Sequence, residues 1–251
     1  MKNIYRFCLL WVLSIFSTVS IAQEFSGQLT WSKRVELSTP ISGVVQDVFA
    51  KPAQQVAKGD VLLQLDPRSF KSKVQALKAQ LLSDDENLKE AKREMQRAQE
   101  LYDRTVLSDH DLQTAKNLLV NAQAKLQKVK SELSGAKLQL EYSAIRAPFN
   151  AVVLDVNAVK GQVVSAKLAP PVLVTIAEAG RMIARINLTN EQLSEISSKQ
   201  GAKVVIEDYS YPGTIEKMSL EADKNGLYSV DVIFDPGKKL LFAGKKVKVT
   251  L

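Results

Sequence analysis

Along the middle of the chain, apolar side chains fall at Phe70, Val74, Leu77, Leu81, Leu88, Ala91, Met95, Ala98 and Tyr102. The steps alternate between four and three, and Asp84 is the one interruption. A second run repeats the rhythm unbroken at Leu112, Ala115, Leu119, Ala122, Leu126, Val129, Leu133, Ala136 and Leu140. Spacing that averages 3.5 residues over four or more heptads marks a coiled-coil seam, narrower than the stripe of a helix lying on a globular core. The positions between are mostly Lys, Glu, Gln, Arg and Asp. Neither run holds a proline, and Gly135 is the lone glycine. Pro67 suits the first helical position and Asp66 the N-cap before it. Asp103–Leu107 is a short break, with Ser108 as N-cap of the second helix and Asp109 and Asp111 favourable in its first turn. So short a link forces the helices antiparallel, and about 35 residues each give a projection of roughly 50 Å. Leucine alternating with alanine along the second seam lets the backbones come close.

The flanks of this hairpin read as short strands, and they resemble each other. Pro-Ile-Ser-Gly-Val-Val-Gln-Asp-Val at 40–48 matches Pro-Phe-Asn-Ala-Val-Val-Leu-Asp-Val at 148–156, and Lys58-Gly59-Asp60-Val61 matches Lys160-Gly161-Gln162-Val163. Gly59 and Gly161 suit turns that require positive φ. The repeat implies two β-halves packed about a pseudo-twofold axis, with inward faces formed by Val44, Val48, Val56 and Leu63 and by Val152, Val156, Val163 and Leu173. The hairpin is then an insertion whose two ends lie close together.

From Arg181 the pattern becomes one of separated strands. Met182, Ile183, Ile186 and Leu188 make one, and Thr189 caps a short helix through Ile196 that Gly201 ends. Lys203–Glu207 and Gly213–Met218 follow, then the Asn225-Gly226 turn into Tyr228–Phe234. Lys246–Leu251 alternates again. Short, closely spaced strands with turn signals predict a small barrel or sandwich.

Composition changes the picture at the N-terminus. Lys2 and Arg6 precede an apolar run from Phe7 to Val19, and Ser20-Ile21-Ala22 offers small residues at a cleavage site. This reads as a signal peptide over residues 1–22, with retention as an anchor the alternative. The run is nearer thirteen residues than the roughly 20 that span a bilayer. The only cysteine, Cys8, lies inside it, so the mature chain forms no disulfide or thiolate metal site. Formal charge falls from +7 to +5 when Lys2 and Arg6 leave. No basic stripe with aromatics points to nucleic acid. His110 is the only histidine and reads as a surface helix residue. Met95, Met182 and Met218 stand apart, unlike a copper or silver site. No nucleophile elbow, zinc motif or phosphate-cradling loop occurs, so neither an enzyme nor a cofactor is expected.

The order Ser-Gly-Val-Val, Val-Ala-Lys-Gly-Asp-Val-Leu, long hairpin, Tyr-Ser-Ala-Ile-Arg-Ala-Pro-Phe-Asn-Ala-Val-Val, Lys-Gly-Gln-Val-Val resembles the periplasmic adaptors, or membrane fusion proteins, of tripartite efflux pumps. Arg146–Phe149 is the most specific segment of the match. The resemblance implies an α+β multidomain chain. A split lipoyl/biotinyl-like β-domain (23–66 and 143–177) takes the hairpin (67–142) as an insertion. A small β-barrel (178–251) follows, with residues 23–35 contributing strands. No membrane-proximal domain is evident before the last residue. Ala151 stands where the family usually has glycine, and Ala243 and Lys245 where it often has proline and methionine. A lipoyl-type carrier is the rival reading, but its modified lysine belongs at a tight turn that the hairpin replaces. The resemblance further implies a periplasmic protein held at the inner membrane through its partners. It would join an inner-membrane transporter of the resistance-nodulation-division (RND) type to an outer-membrane channel of TolC-like type, as a trimeric or hexameric ring. An ATP-driven exporter, a type I secretion system or a non-transport coiled-coil scaffold remain alternatives. Arg97, Leu101 and Ser108 resemble the family's Arg-Leu-Ser tip signature. With Asp103, Arg104, Thr105, Val106 and Leu107 they form the candidate channel-binding site. Gln113 departs from the acidic residue common in relatives.

Overall fold

The computed structural model describes residues 23–166, 170–197, 200–237 and 239–251; the signal peptide expected over 1–22 lies outside them. No helix among the described residues is long and apolar enough to cross a membrane. The described residues divide into two compact units, one within Lys33–Ala179 and the other joining 23–32 with Gly180–Leu251.

In the first unit, α1 (Arg68–Asp103) and α2 (Asp109–Tyr142) form the antiparallel hairpin. Val74 of α1 and Leu112, Ala115, Leu126, Val129, Leu133 and Ala136 of α2 are buried along the seam. Asp84 keeps its seam place and is buried too, its carboxylate accepting a hydrogen bond from Gln80 Nε2 at 3.0 Å. The start of α1 differs from expectation. Pro67 is the N-cap residue and makes no side-chain capping bond. Asp66, one position earlier, accepts the Arg68 N–H at 3.0 Å and pairs with its guanidinium. That pairing lowers the Asp66 carboxyl to about 2.

The hairpin rises from a barrel-sandwich. With β1 (Glu24–Trp31) assigned to the second unit, its strands are β2 (Arg34–Leu37), β3 (Gly43–Val48), β4 (Gln55–Val56), β5 (Val61–Leu65), β6 (Ala144–Arg146), β7 (Ala151–Val156), β8 (Val163–Val164) and β9 (Val174–Glu178). They form two four-stranded sheets, β2-β9-β7-β4 and β6-β5-β3-β8, and each sheet takes strands from both halves of the repeat. Gly59 N–H donates to Ala147 O and Gly161 N–H donates to Val45 O, both at 2.8 Å, so each half closes on the other. Both glycines have positive φ, +94° and +86°. In each turn the next side chain takes the same part: Asp60 Oδ2 accepts the Ala57 N–H and Gln162 Oε1 the Val159 N–H. Arg146 donates to Gly59 O at 2.8 Å, which gives the Arg-Ala-Pro-Phe segment a structural task across the repeat. At the root of the hairpin, Leu65 N–H donates to Ser143 O at 2.7 Å, and Gln64 Nε2 reaches Ser143 O and Oγ.

The phase of three strands is corrected. Val44 and Val163, expected inside, are 43% and 75% exposed, and Val45 and Val164 fill the core instead. Val152 is buried but outside that core, where Val153 packs. Each site is a Val-Val pair, so a period of two cannot choose between neighbours. Bulges at Val45/Asp47 and Val153/Asp155 then break the count along the strand. Ala151 is fully buried and has no positive φ, so the family's glycine is not needed there.

In the second unit, β1 joins β10 (Met182–Leu188), β11 (Gly201–Ile206), β12 (Tyr209–Met218), β13 (Tyr228–Phe234) and β14 (Lys246–Thr250) in a closed barrel, ordered β1-β10-β13-β12-β11-β14. Leu29, Ile186, Val204, Val230, Val232 and Val249 lie in its core. A short helix, α3 (Asn190–Ser194), is closed by a capping box between Thr189 and Gln192; it stops short of Ile196, and Gly201 opens β11 rather than ending the helix. Strand β12 starts at Tyr209, not at Gly213. Pro212 pairs only with Lys203 of β11, and pairing to β13 begins at Gly213, so no partner asks for the missing N–H. Gly27 of β1 lies so near β10 that a Cβ there would stand 2.7 Å from Arg185 O and 2.8 Å from Ile186 Cγ2.

Candidate functional site

The link between α1 and α2 is built by backbone bonds. Thr105 N–H donates to Tyr102 O at 2.8 Å and Val106 N–H to Leu101 O at 3.0 Å. This is a Schellman ending with Thr105 in the left-handed position, φ +61°, where glycine is the usual occupant. Thr105 Oγ1 donates to Arg104 O at 2.7 Å. The motif turns the chain so that Val106 stands 70% exposed at the apex while Leu101 and Leu107 are half-buried.

Ser108 caps α2 as expected: its Oγ accepts the Asp111 N–H at 3.2 Å and donates to Asp111 Oδ2 at 2.6 Å. Asp109 and Asp111 occupy the first turn, where carboxylates offset the helix dipole. The Asp109 carboxylate beside the Tyr102 hydroxyl holds that phenol above its ordinary range. Arg97 Nη1 donates to Glu94 at 2.7 Å with most of its side chain in solvent. Asp103 accepts from Gln99 at 2.8 Å. Arg104 is exposed beyond the helix end.

The eight predicted residues gather at one end of the hairpin, and five of them divide between two roles. Val106, Arg104 and the guanidinium of Arg97 point outward and can meet a partner. Thr105 and Ser108 spend their polar groups on shaping the turn, and the Ser108 hydrogen is committed to Asp111. Sequence spacing cannot reveal that division, because capping and docking ask for the same residue types. Sequence spacing places Tyr102 on the seam and Asp109 in the first turn of α2, and gives no sign that the two groups influence each other. The tip can recognise a helical or loop surface through one apolar knob and flanking cations. No group of three or more His, Cys, Asp or Glu able to hold a metal occurs among the described residues.

The family model described as a CzcB-like, barrel-sandwich hybrid domain matches residues 33–177. Multidrug resistance protein MdtA of Yersinia enterocolitica is 29% identical over 150 residues, covering 59% of this chain and 34% of the relative. The chain thus spans about a third of the length of the curated relatives it matches. The membrane fusion protein Spr0693 of Streptococcus pneumoniae superposes with a TM-score of 0.70 at 16% identity, over 91% of this chain and 97% of that one. A MacA–MexA chimera bearing the Pseudomonas aeruginosa MexA α-hairpin domain gives 0.69 at 20%, over 91% and 79%. These structures share the fold.

Proposed function

The chain belongs to the CzcB-like barrel-sandwich hybrid family, and from that premise we propose that it works as an exported adaptor of a small-molecule efflux pump. In this reading it stands in the periplasm as a ring of copies, held at the inner membrane by its partners. The barrel-sandwich and barrel address an inner-membrane transporter of RND type, and the hairpin tip engages an outer-membrane channel of TolC-like type. The observation that carries the proposal is the hairpin itself, a long polar-faced lever with no described element packed along its outer surface, ending in an exposed valine and two cations. Such an element has no use in stabilising a core, whereas it suits reach. The multidrug-resistance name of the relatives supports a broad range of small molecules as cargo.

Leu101 is the residue on which the tip reading turns. It lies off the seam and its half-buried side chain supplies apolar surface beside Arg97. Leu101→Asp is expected to abolish efflux while the purified protein keeps wild-type helicity. Wild-type efflux in that variant would remove the docking assignment. A photoreactive residue at Arg104 should capture an outer-membrane channel in cells. Capture of an ATP-driven exporter's channel, or of nothing but other copies, would redirect the reading to a secretion system or a scaffold.

A further inference from the structure

The outer wall of the barrel carries a groove of about 690 Å³ over β11, β14 and β1, within the roughly 300–1,000 Å³ of small-molecule sites. Alternation along β14 turns Lys246 and Lys248 outward, beside their register partners Gln28 and Ser26 of β1. Val205 of β11 pairs with Lys248 on the other side. Ser26 and Val205 are short, so the wall is depressed where they stand. Two ion pairs keep the depression open. Lys248 Nζ is drawn to Glu24 Oε2 at 2.9 Å, two residues beyond Ser26 along β1 and away from Lys246. Lys245 pairs with Glu207 and holds that carboxyl below its ordinary range, so the one acid that lines the groove is already neutralised. Gln28 Nε2 donates to Gly244 O at 3.0 Å and fixes the end of the groove by the β13–β14 turn.

Lys246 is the remaining charge. Its ammonium enters no ion pair among the described residues, and the Ser26 hydroxyl makes no hydrogen bond among them. Between them the surface is Val205 and lysine stems, which are apolar along most of their length. An apolar floor with one uncompensated cation and one unspent hydroxyl is complementary to a molecule with an apolar body and a single anionic group. A cationic solute meets Lys246 and has no lining carboxylate left to pair with. A wholly polar one leaves Val205 unmatched.

We infer that this wall of the barrel binds amphipathic organic anions, the anionic group held by Lys246 and Ser26 and the apolar body lying over Val205 and the stem of Lys248. The inference deepens the efflux reading, on which its role rests, by naming the class of cargo that the chain itself handles.

Equilibrium dialysis of the purified chain against cholate tests the site. The methyl ester of cholate keeps the same rigid body without the charge and serves as control, both ligands being held below their micellar concentrations. Cholate should bind at least about tenfold more tightly than the ester, and Lys246→Glu should weaken cholate binding about tenfold or more. Lys246 is exposed on its strand, so this variant should melt as the wild type does. Lys203→Glu makes the same charge change on the same wall, outside the groove, and should leave binding unchanged. Equal binding of acid and ester would reduce the groove to an apolar patch and overturn the proposal. Equal losses from Lys203→Glu and Lys246→Glu would reduce it to general surface charge, and no binding of cholate to the wild-type chain would remove it. In cells, Lys246→Glu should lower resistance to cholate and leave resistance to the cation ethidium unchanged. Wild-type cholate resistance in that strain would overturn the cargo role. Unchanged resistance to both compounds in a strain lacking the chain altogether would instead overturn the efflux reading, while the dialysis result would stand by itself.

Discussion

Thr105 is the residue where local chemistry and local geometry disagree. A β-branched side chain sits at φ +61°, a conformation that costs a non-glycine residue about 1 kcal/mol or more. Two backbone bonds hold it there, from its own N–H to Tyr102 O and from Val106 N–H to Leu101 O. Thr105→Gly removes the strain but adds unfolded-state freedom worth about 0.5–1 kcal/mol, so hydrogen exchange of the hairpin amides should be unchanged or slightly slower. Thr105→Pro can neither adopt that φ nor donate to Tyr102 O, and should speed exchange near the tip by an amount equivalent to about 3 kcal/mol. Equal effects from the two variants would mean the turn is not held by these bonds. The same comparison bears on docking, since Thr105→Gly keeps the shape of the apex and should keep efflux.

Among the elements, the hairpin was the most legible from sequence and the sandwich strands the least. Nine seam positions in α2 and a matching run in α1 average over many turns, so one exception such as Asp84 does not shift the phase. Strands β4 and β8 hold two residues each, too few for a period, and at Val44–Val45 and Val163–Val164 composition is the same on either face. Tertiary pairing decided there, through bulges that no local signal announces. At the tip, the Ser108 cap was legible from sequence, but the left-handed Thr105 that shapes the turn was not. Asp84 makes an element-scale prediction. The register set by Val74 against Leu133 and Ala136, and by Tyr102 with Asp109, puts it in the layer of Leu126. Its described hydrogen bond comes from Gln80 of its own helix. Asp84→Leu completes the apolar seam and should stabilise the hairpin by about 1–2 kcal/mol, read as slower exchange of amides in both helices. A loss of stability would show that the carboxylate has a partner worth more than the packing.

At the scale of the molecule, the closed barrel depends on a strand passing very near its neighbour at Gly27. Gly27→Val forces β1 away from β10, and overpacking of this kind costs about 1–3 kcal/mol or more. The barrel unit should then lose its thermal transition or melt earlier, while the helicity of the hairpin, which belongs to the other unit, stays. Joint loss of both would mean the units fold as one. The first unit has a different dependence, because each half of its sandwich is closed by hydrogen bonds from the other and the halves are separated by the whole hairpin. Joining the ends of so long a segment as a flexible chain would cost about 4 kcal/mol in loop entropy. Helices form through local contacts in microseconds, ahead of any sheet with distant partners. Once α1 and α2 have zipped, Leu65 and Ser143 are already neighbours, and the two halves meet as if adjacent in sequence. The lever that reaches outward in the finished protein is, during folding, the clasp that brings its own base together.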